Sequence, residues 1–168
     1  MNLVLVGVRG SGKSTLGRTL AQRLDASFID LDSMIEERAS CSIRYIFEQS
    51  GEDFFRRLET TVLADLTGMV NTILATGGGV VVRDENRRLL RRLGKIVWLE
   101  VSPEVAVQRM VRDGSRPPLT RLSPLEEARK ILADRRLWYE EIADVSIITD
   151  NRSLKEILDE LEQLWKPL

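Results

Sequence analysis

The stretch GVRGSGKST, from Gly7 to Thr15, decides the fold of this chain. It follows the apolar run Leu3 to Val6 and precedes a pattern that places Leu16, Leu20 and Leu24 on one helical face. The G-x-x-x-x-G-K-S/T spacing between a strand and a helix predicts a phosphate-binding loop. Backbone N–H groups of such a loop turn toward an anion, and the positive end of the helix dipole points the same way. A glycine-rich turn that happens to contain lysine is the alternative, and both flanks count against it.

The loop predicts a nucleoside triphosphate as the ligand. We expect Lys13 to lie exposed in the loop and to reach the β and γ phosphates, where its charge would act in catalysis. We expect the Ser14 hydroxyl to be one ligand of a bound magnesium ion. The residues predicted to bind the nucleotide phosphates are Gly10, Ser11, Gly12, Lys13, Ser14 and Thr15.

Composition limits the remaining possibilities. With 168 residues, 43% of them hydrophobic, the chain is predicted to form a single domain. A net charge of −1 offers no general attraction for nucleic acid. One cysteine and no histidine exclude an internal disulfide and, in practice, a structural zinc site. Because no long apolar stretch or signal peptide is evident, we expect a cytoplasmic protein without a membrane partner.

Short β-rich runs alternate with helical patterns along the rest of the chain. The runs that predict further strands are Ser27 to Asp30, Thr72 to Thr76, Lys95 to Val101 and Val145 to Thr149. Capping signals predict helix starts after Ser102, Ser123 and Ser153. This alternation predicts an α/β fold with three αβα layers and a parallel sheet covered on both faces. The ligand site should lie beyond the carboxyl ends of the strands.

Two of the loops at that edge have informative sequences. The second strand ends in FIDLD, and its carboxylates Asp30 and Asp32 suit magnesium positioning and the activation of a hydroxyl group. Helix capping by aspartate is an equally supported alternative. The third strand ends in ATGGG, whose glycines, Gly77 to Gly79, would let the backbone approach a ligand closely. A flexible turn is the alternative there.

An ordered set of motifs resembles the shikimate kinase family from Met1 to the final helix. In chain order the motifs are GVRGSGKST, FIDLD, GEDFFRRLE, ATGGG, SRPPL and ADRRLWY. The resemblance implies a nucleoside-monophosphate-kinase-like P-loop fold with a five-stranded parallel sheet and a mobile lid at about 112–122. It implies a kinase that uses ATP and Mg²⁺ to phosphorylate the 3-hydroxyl of shikimate, on the route to chorismate and aromatic amino acids. The chain departs from the family at Ser40 and Cys41, where many members have Thr-Gly, and in its RPPLT lid sequence.

The resemblance also assigns roles on the acceptor side. Asp32 is similar to the family's shikimate-binding acid, and Asp30 to the acid that holds magnesium through water. Arg56 and Arg135 match two arginines that grip the shikimate carboxylate, and Gly78 matches a backbone contact to shikimate. With no histidine in the chain, a side-chain base must be a carboxylate, and Asp32 is the best placed. The alternative for each arginine is an ordinary place on a helix surface.

On the nucleotide side the resemblance points to three more arginines. Arg116 matches a lid arginine that reaches the phosphates and would join Lys13 and magnesium in neutralising the moving group. Arg109 resembles the arginine that stacks on adenine, and Arg152 a second residue near the base. The lid would exclude water from the reaction, and an ordinary surface loop is the alternative.

Two rival functions have less support from the sequence, and we expect the protein to be a monomer. A gluconate kinase of the same fold would share the phosphate loop without needing the pair Arg56 and Arg135. A nucleotide-dependent switch should carry Asn-Lys-x-Asp and D-x-x-G motifs, and neither occurs in the right context. The basic run Arg87 to Arg92 predicts an amphipathic helix with a leucine face instead of a nucleic-acid patch.

Overall fold

A five-stranded parallel sheet forms the middle layer of the protein, as predicted. The computed structural model describes residues 1–113 and 122–165. The strands are β1 (Asn2–Val6), β2 (Ser27–Asp30), β3 (Thr72–Ala75), β4 (Lys95–Glu100) and β5 (Val145–Ile148). Their order across the sheet is β2-β3-β1-β4-β5, and every neighbouring pair is parallel.

Helices connect the strands and cover the sheet. They are α1 (Lys13–Leu24), α2 (Leu31–Ala39), α3 (Ile43–Asp65), α4 (Asp84–Leu93), α5 (Pro103–Asp113), α6 (Pro124–Ile142) and α7 (Leu154–Trp165). After β3 the chain forms a glycine loop, Gly77 to Gly79, and then a short 3₁₀ turn, Val80–Val82. Within the described part of the chain, none of the helices is long and apolar enough to cross a membrane.

Both faces of the sheet are buried, which is why β1 is apolar along its whole length. Alternate side chains of a strand point to opposite faces. Val4 and Val6 therefore join the core beneath α2, α3, α4 and α6, whereas Leu3 and Leu5 join the core beneath α1 and α7. This confirms the three-layer αβα architecture, because a parallel sheet needs cover on both sides.

The predicted helix starts are confirmed by their hydrogen bonds. Ser123 and Glu126 form a reciprocal capping box at the start of α6. Ser153 and Glu156 make the same pair of contacts before α7, with Ser153 N donating to a Glu156 carboxylate oxygen at 2.8 Å. The basic run in α4 is also amphipathic as predicted, since its leucines face the core and Leu90 is fully buried.

The strand register brings the candidate loops to one edge. Asp30, Ala75 and Leu5 lie side by side at the carboxyl ends of β2, β3 and β1. After β1 the chain enters the phosphate loop, after β2 it enters α2, and after β3 it enters the glycine loop. The three predicted site segments are therefore neighbours in space.

Candidate active site

The loop between β1 and α1 closes around the end of a lysine side chain. The Lys13 ammonium donates to the carbonyl of Gly7 at 2.7 Å and to the carbonyl of Val8 at 2.9 Å. Only 8% of Lys13 is exposed, so the expectation of an exposed lysine was wrong. The physical reason is that carbonyls of the loop point inward and accept hydrogen bonds from the ammonium. These hydrogen bonds offset the cost of removing the charge from water.

Two glycines give the loop its shape. Gly10 has a φ of 79°, and a Cβ atom there would lie 2.6 Å from the carbonyl oxygen of Ala106. Gly12 has a φ of 94° and precedes the first residue of α1. Both conformations are costly for residues with side chains. The first turn of α1 holds no acidic residue, so its positive end is available to an anionic ligand.

One cleft of about 170 Å³ joins the phosphate loop to the ends of β2 and β3. It brings together most of the predicted phosphate, metal and acceptor residues. Those that line it are Gly10, Gly12, Lys13, Ser14, Thr15, Asp30, Asp32 and Gly78. Ser11 is the exception among the predicted phosphate-loop residues, because its side chain is fully buried. Its hydroxyl lies 3.3 Å from the Lys13 ammonium.

The pair Ser14 and Asp30 is already in contact. The Ser14 hydroxyl donates to Asp30 Oδ2 at 2.7 Å. The other carboxylate oxygen, Oδ1, accepts from the backbone N–H of Ser33 at 3.3 Å and caps α2. The helix-capping alternative is therefore confirmed for Asp30, while its role at a metal stays a prediction. A hydroxyl and a carboxylate facing the same cleft are ligands that suit Mg²⁺.

Asp32 lies in the first turn of α2 against the glycine loop. A Cβ atom on Gly77 would come within 2.6 Å of Asp32 Oδ1 and 3.5 Å of Glu59 Oε1. Glu59 is fully buried, and its Oε1 has no hydrogen-bond partner in the described structure. Burial raises the pKa of Glu59, the nearby Asp32 raises it further, and Arg56 opposes the rise.

Arg56 is held between acidic side chains and the glycine loop. Its Nη1 donates to Glu59 Oε2 at 2.9 Å, and its Nη2 donates to Glu52 Oε1 at 3.2 Å. A Cβ atom on Gly79 would lie only 2.1 Å from Nη2, so the guanidinium packs on the backbone of the loop. With 8% exposure, Arg56 is not an ordinary surface arginine.

Arg135 approaches the same groups from α6. It is half-buried, and its charge acts on the hydroxyl of Tyr139, which donates to the Gly78 carbonyl at 2.6 Å. Both Arg135 and Arg56 oppose the pKa increases of Glu59 and Tyr139. Because charges act on pKa values only at short range, the two predicted acceptor arginines converge on one region.

A second cavity, of about 280 Å³, lies on the other side of the phosphate loop. Arg109 and Arg152 both line it, next to Thr15. Arg109 donates to the backbone carbonyl of Thr149 at 2.8 Å and to its hydroxyl at 3.0 Å. Arg152 pairs with Glu160 at 2.7 Å. The two residues predicted to lie near the nucleotide base are thus brought to one place.

Arg116 and most of the predicted lid lie outside the described residues. The described chain ends at residue 113 on one side of the lid and resumes at residue 122 on the other. The assignment of Arg116 to the phosphates, and the lid itself, stay predictions.

Sequence reasoning missed two buried residues of the acceptor side. Glu59 lies three residues after Arg56 in the FFRRLE segment, and Tyr139 lies four residues after Arg135 in ADRRLWY. Residues spaced by three or four share one helix face. That spacing was a usable signal for both pairs, whereas the contact between Tyr139 and Gly78 has no signal in the sequence.

Comparisons with known proteins agree with this geometry. A family model for shikimate kinase matches residues 9–166. The shikimate kinase of Vibrio cholerae serotype O1 is 43% identical over 163 residues, covering 97% of this chain and 94% of the relative. A shikimate kinase from Acinetobacter baumannii, solved in complex with shikimate, has a TM-score of 0.90 and 39% identity, with 97% of this chain and 91% of that chain covered. A gluconokinase from Sinorhizobium meliloti, with a TM-score of 0.63, 22% identity and coverage of 97% and 92%, shares the fold alone. This chain belongs to the shikimate kinase family.

Proposed function

We propose that this protein transfers the γ-phosphoryl group of ATP to the 3-hydroxyl of shikimate and releases shikimate 3-phosphate and ADP. The observation that carries the proposal is the single cleft in which the phosphate loop lies beside Asp32 and Gly78. A phosphoryl donor and a hydroxyl acceptor can meet there without leaving the protein. The product serves chorismate and aromatic amino-acid biosynthesis, and the need for ATP favours the cytoplasm.

Recognition of an acidic acceptor is assigned to Arg56 and Arg135. Guanidinium groups bind a carboxylate through two parallel hydrogen bonds and so distinguish it from a neutral group. Arg56 is fixed in advance by Glu59 and Glu52, which reduces the ordering needed when the acceptor binds. Gly78 supplies the backbone contact from the loop between the two arginines.

Asp32 is assigned as the general base. The 3-hydroxyl gives its proton to the Asp32 carboxylate while the hydroxyl oxygen forms a bond to the γ-phosphorus and the bond to ADP breaks. Negative charge on the transferring group is met by Lys13 and by the positive end of α1. Arg116, outside the described residues, is assigned a further positive charge at the phosphates.

The nucleotide is assigned to the phosphate loop, with its base near Arg109 and Arg152. Ser14 would hold Mg²⁺ directly and Asp30 would hold it through water, in keeping with their contact at 2.7 Å. When bound, the ion would supply positive charge to the nucleotide phosphates.

A coupled ADP-release assay tests the proposal. Shikimate, gluconate and no acceptor are offered in parallel with ATP and Mg²⁺, and the same series is run without Mg²⁺ in a chelator. The Lys13→Met variant, purified identically, controls for contaminating kinases. We expect rapid ADP release only with shikimate and Mg²⁺, and phosphorus NMR should place the phosphate on the 3-hydroxyl. Faster turnover with gluconate would overturn the proposal.

We also propose that the enzyme acts as a monomer. The phosphate loop and Asp32 lie in the same cleft of the same chain, so the proposed reaction needs no residue of a second copy. Size-exclusion chromatography with light scattering should therefore give a mass near the 19.1 kDa of one chain, with or without ATP and shikimate. A stable mass of twice that value contradicts the monomer.

A further inference from the structure

Tyr139 has a buried ring and a hydroxyl that reaches the acceptor side. The residue is fully buried, and its ring stacks on Trp98 with centroids 5.6 Å apart and planes 16° apart. Its hydroxyl donates to the carbonyl of Gly78 at 2.6 Å. The ring accounts for packing in the core, and the hydroxyl requires a separate explanation.

The hydroxyl is bonded to the glycine loop and lies among the charges of the acceptor side. Burial raises the pKa of Tyr139 to about 12, and the cations Arg135 and Arg56 only partly oppose this rise. The phenol is therefore protonated at neutral pH and keeps the proton that it donates to the Gly78 carbonyl.

We propose that Tyr139 is a positioning residue that fixes the Gly78 backbone relative to the acceptor arginines. The inference rests on the proposed function, in which Gly78 contacts the acceptor while Arg56 and Arg135 bind its carboxylate. One hydroxyl then sets where the glycine loop lies beside the carboxylate site. Tyr139 does not itself touch the acceptor and acts through Gly78.

The glycine loop needs such a restraint. Three successive glycines, Gly77 to Gly79, leave the backbone freer than any other sequence would. On one side the guanidinium of Arg56 packs on Gly79, where a Cβ atom would lie 2.1 Å from Nη2. On the other side Tyr139 holds Gly78. The loop is thus held between α3 and α6, the two helices that carry the acceptor arginines.

The Tyr139→Phe variant tests the role of the hydroxyl alone, because phenylalanine keeps the ring and its stacking on Trp98. We expect the KM for shikimate to rise about tenfold, as for the loss of one buried hydrogen bond, with kcat changed less than about twofold. The KM for ATP should not change. Tyr45→Phe is the matched control at the only other tyrosine, which is 54% exposed, and it should behave like the wild type.

A second acceptor separates positioning from general loosening of the core. Shikimate methyl ester keeps the ring and hydroxyls of shikimate and lacks the negative charge. The wild type should prefer the acid strongly, and Tyr139→Phe should lose about tenfold of that preference, because the lost geometry serves the carboxylate. A core that had only loosened would raise the KM for acid and ester by the same factor.

The outcomes separate this inference from the proposed function. If the wild type does not phosphorylate shikimate, the proposed function and this inference are both overturned. If the wild type is active but Tyr139→Phe matches Tyr45→Phe in its KM for shikimate, the inference alone is overturned. Equal loss for acid and ester also overturns it. A rise in KM confined to the acid supports it.

Discussion

In the phosphate loop, the charge of Lys13 is held by groups from the same nine consecutive residues. On the acceptor side, the charged groups come from three helices and lie against one loop. Lys13 is held by backbone carbonyls of its own loop. By contrast, Arg56 on α3 is held by a buried carboxylate, and Tyr139 on α6 is tied to the loop after β3. Changes in the phosphate loop should therefore affect chemistry more than stability. Changes on the acceptor side should affect both where the charge is buried.

The largest expected effect is that of Lys13→Met. Turnover with saturating ATP and shikimate should fall about 10³-fold, because a charge that meets the transferring group is removed. The free energy of unfolding should fall by about 1 to 2 kcal/mol, since the buried carbonyls of Gly7 and Val8 lose their donor while the cost of burying the ammonium is also removed. The coupled assay and urea denaturation measure the two effects. If circular dichroism showed an unfolded variant, the expected separation of chemistry from stability in the phosphate loop would be wrong.

Asp32→Asn should come next and should separate catalysis from binding. The variant keeps the shape and one acceptor oxygen but loses the base, so kcat should fall about 10²-fold. Shikimate and ATP affinities, measured by calorimetry, should change by less than about threefold because the other contacts remain. Asp53→Asn is the control, since Asp53 is exposed on α3. Near-normal turnover of Asp32→Asn would mean that another group accepts the proton.

Arg56→Ala and Arg135→Ala should each weaken shikimate binding by about 1.5 to 3 kcal/mol, because each removes charge-assisted hydrogen bonds. Only Arg56→Ala should also lower the free energy of unfolding, by about 3 kcal/mol, since it leaves Glu59 buried without its cation. Calorimetry and chemical denaturation measure these effects. Arg57→Ala is the matched control, because Arg57 is the adjacent arginine and its side chain is 59% exposed.

The double variant Arg56→Ala with Glu59→Gln sharpens this prediction. It removes both members of the buried pair and should recover part of the lost stability without recovering shikimate binding. Loss of ATP binding in either single arginine variant, with shikimate binding intact, contradicts the assignment of these residues to the acceptor.

The smallest expected effect is the pH dependence contributed by Glu59. Because burial raises its pKa in the folded protein, Glu59 contributes most to stability below its ordinary pKa of 4.5. That contribution is lost as the pH rises through the raised pKa. Relative to Glu59→Gln, the wild type should therefore lose unfolding free energy between pH 4 and neutrality. Urea denaturation of both proteins across this range measures the difference, and a change of opposite sign contradicts it.

The fold could be predicted from the sequence because its signals are local. The apolar runs, the capping serines and the phosphate-loop spacing located all five strands, which the structure confirms. The predicted ends of β3, β4 and β5 were one residue too long, at Thr76, Val101 and Thr149. Both threonines still donate a backbone hydrogen bond to the neighbouring strand, to Leu5 and Glu100, so the pairing continues where the strand geometry ends.

The candidate site was only partly predictable. Its positions came from motif order and resemblance to a family, which the comparisons confirm, while the individual residue roles stay predictions. The error over Lys13 shows why, since the sequence places a lysine in a loop without showing which way the loop carbonyls face. In the same way it gives Glu59 and Tyr139 as members of helix faces without showing what those faces cover.

The sequence by itself determined the phosphate loop, because every group that shapes it lies between Gly7 and Thr15 and the required backbone geometry is local. It also determined the alternation of strands and helices, through periodicity and caps. Only the tertiary structure decided that Glu59 is buried against Arg56 and that Tyr139 reaches Gly78, 61 residues away along the chain. Burial and partner choice depend on which elements pack together, and that is a property of the folded sheet and its covering helices.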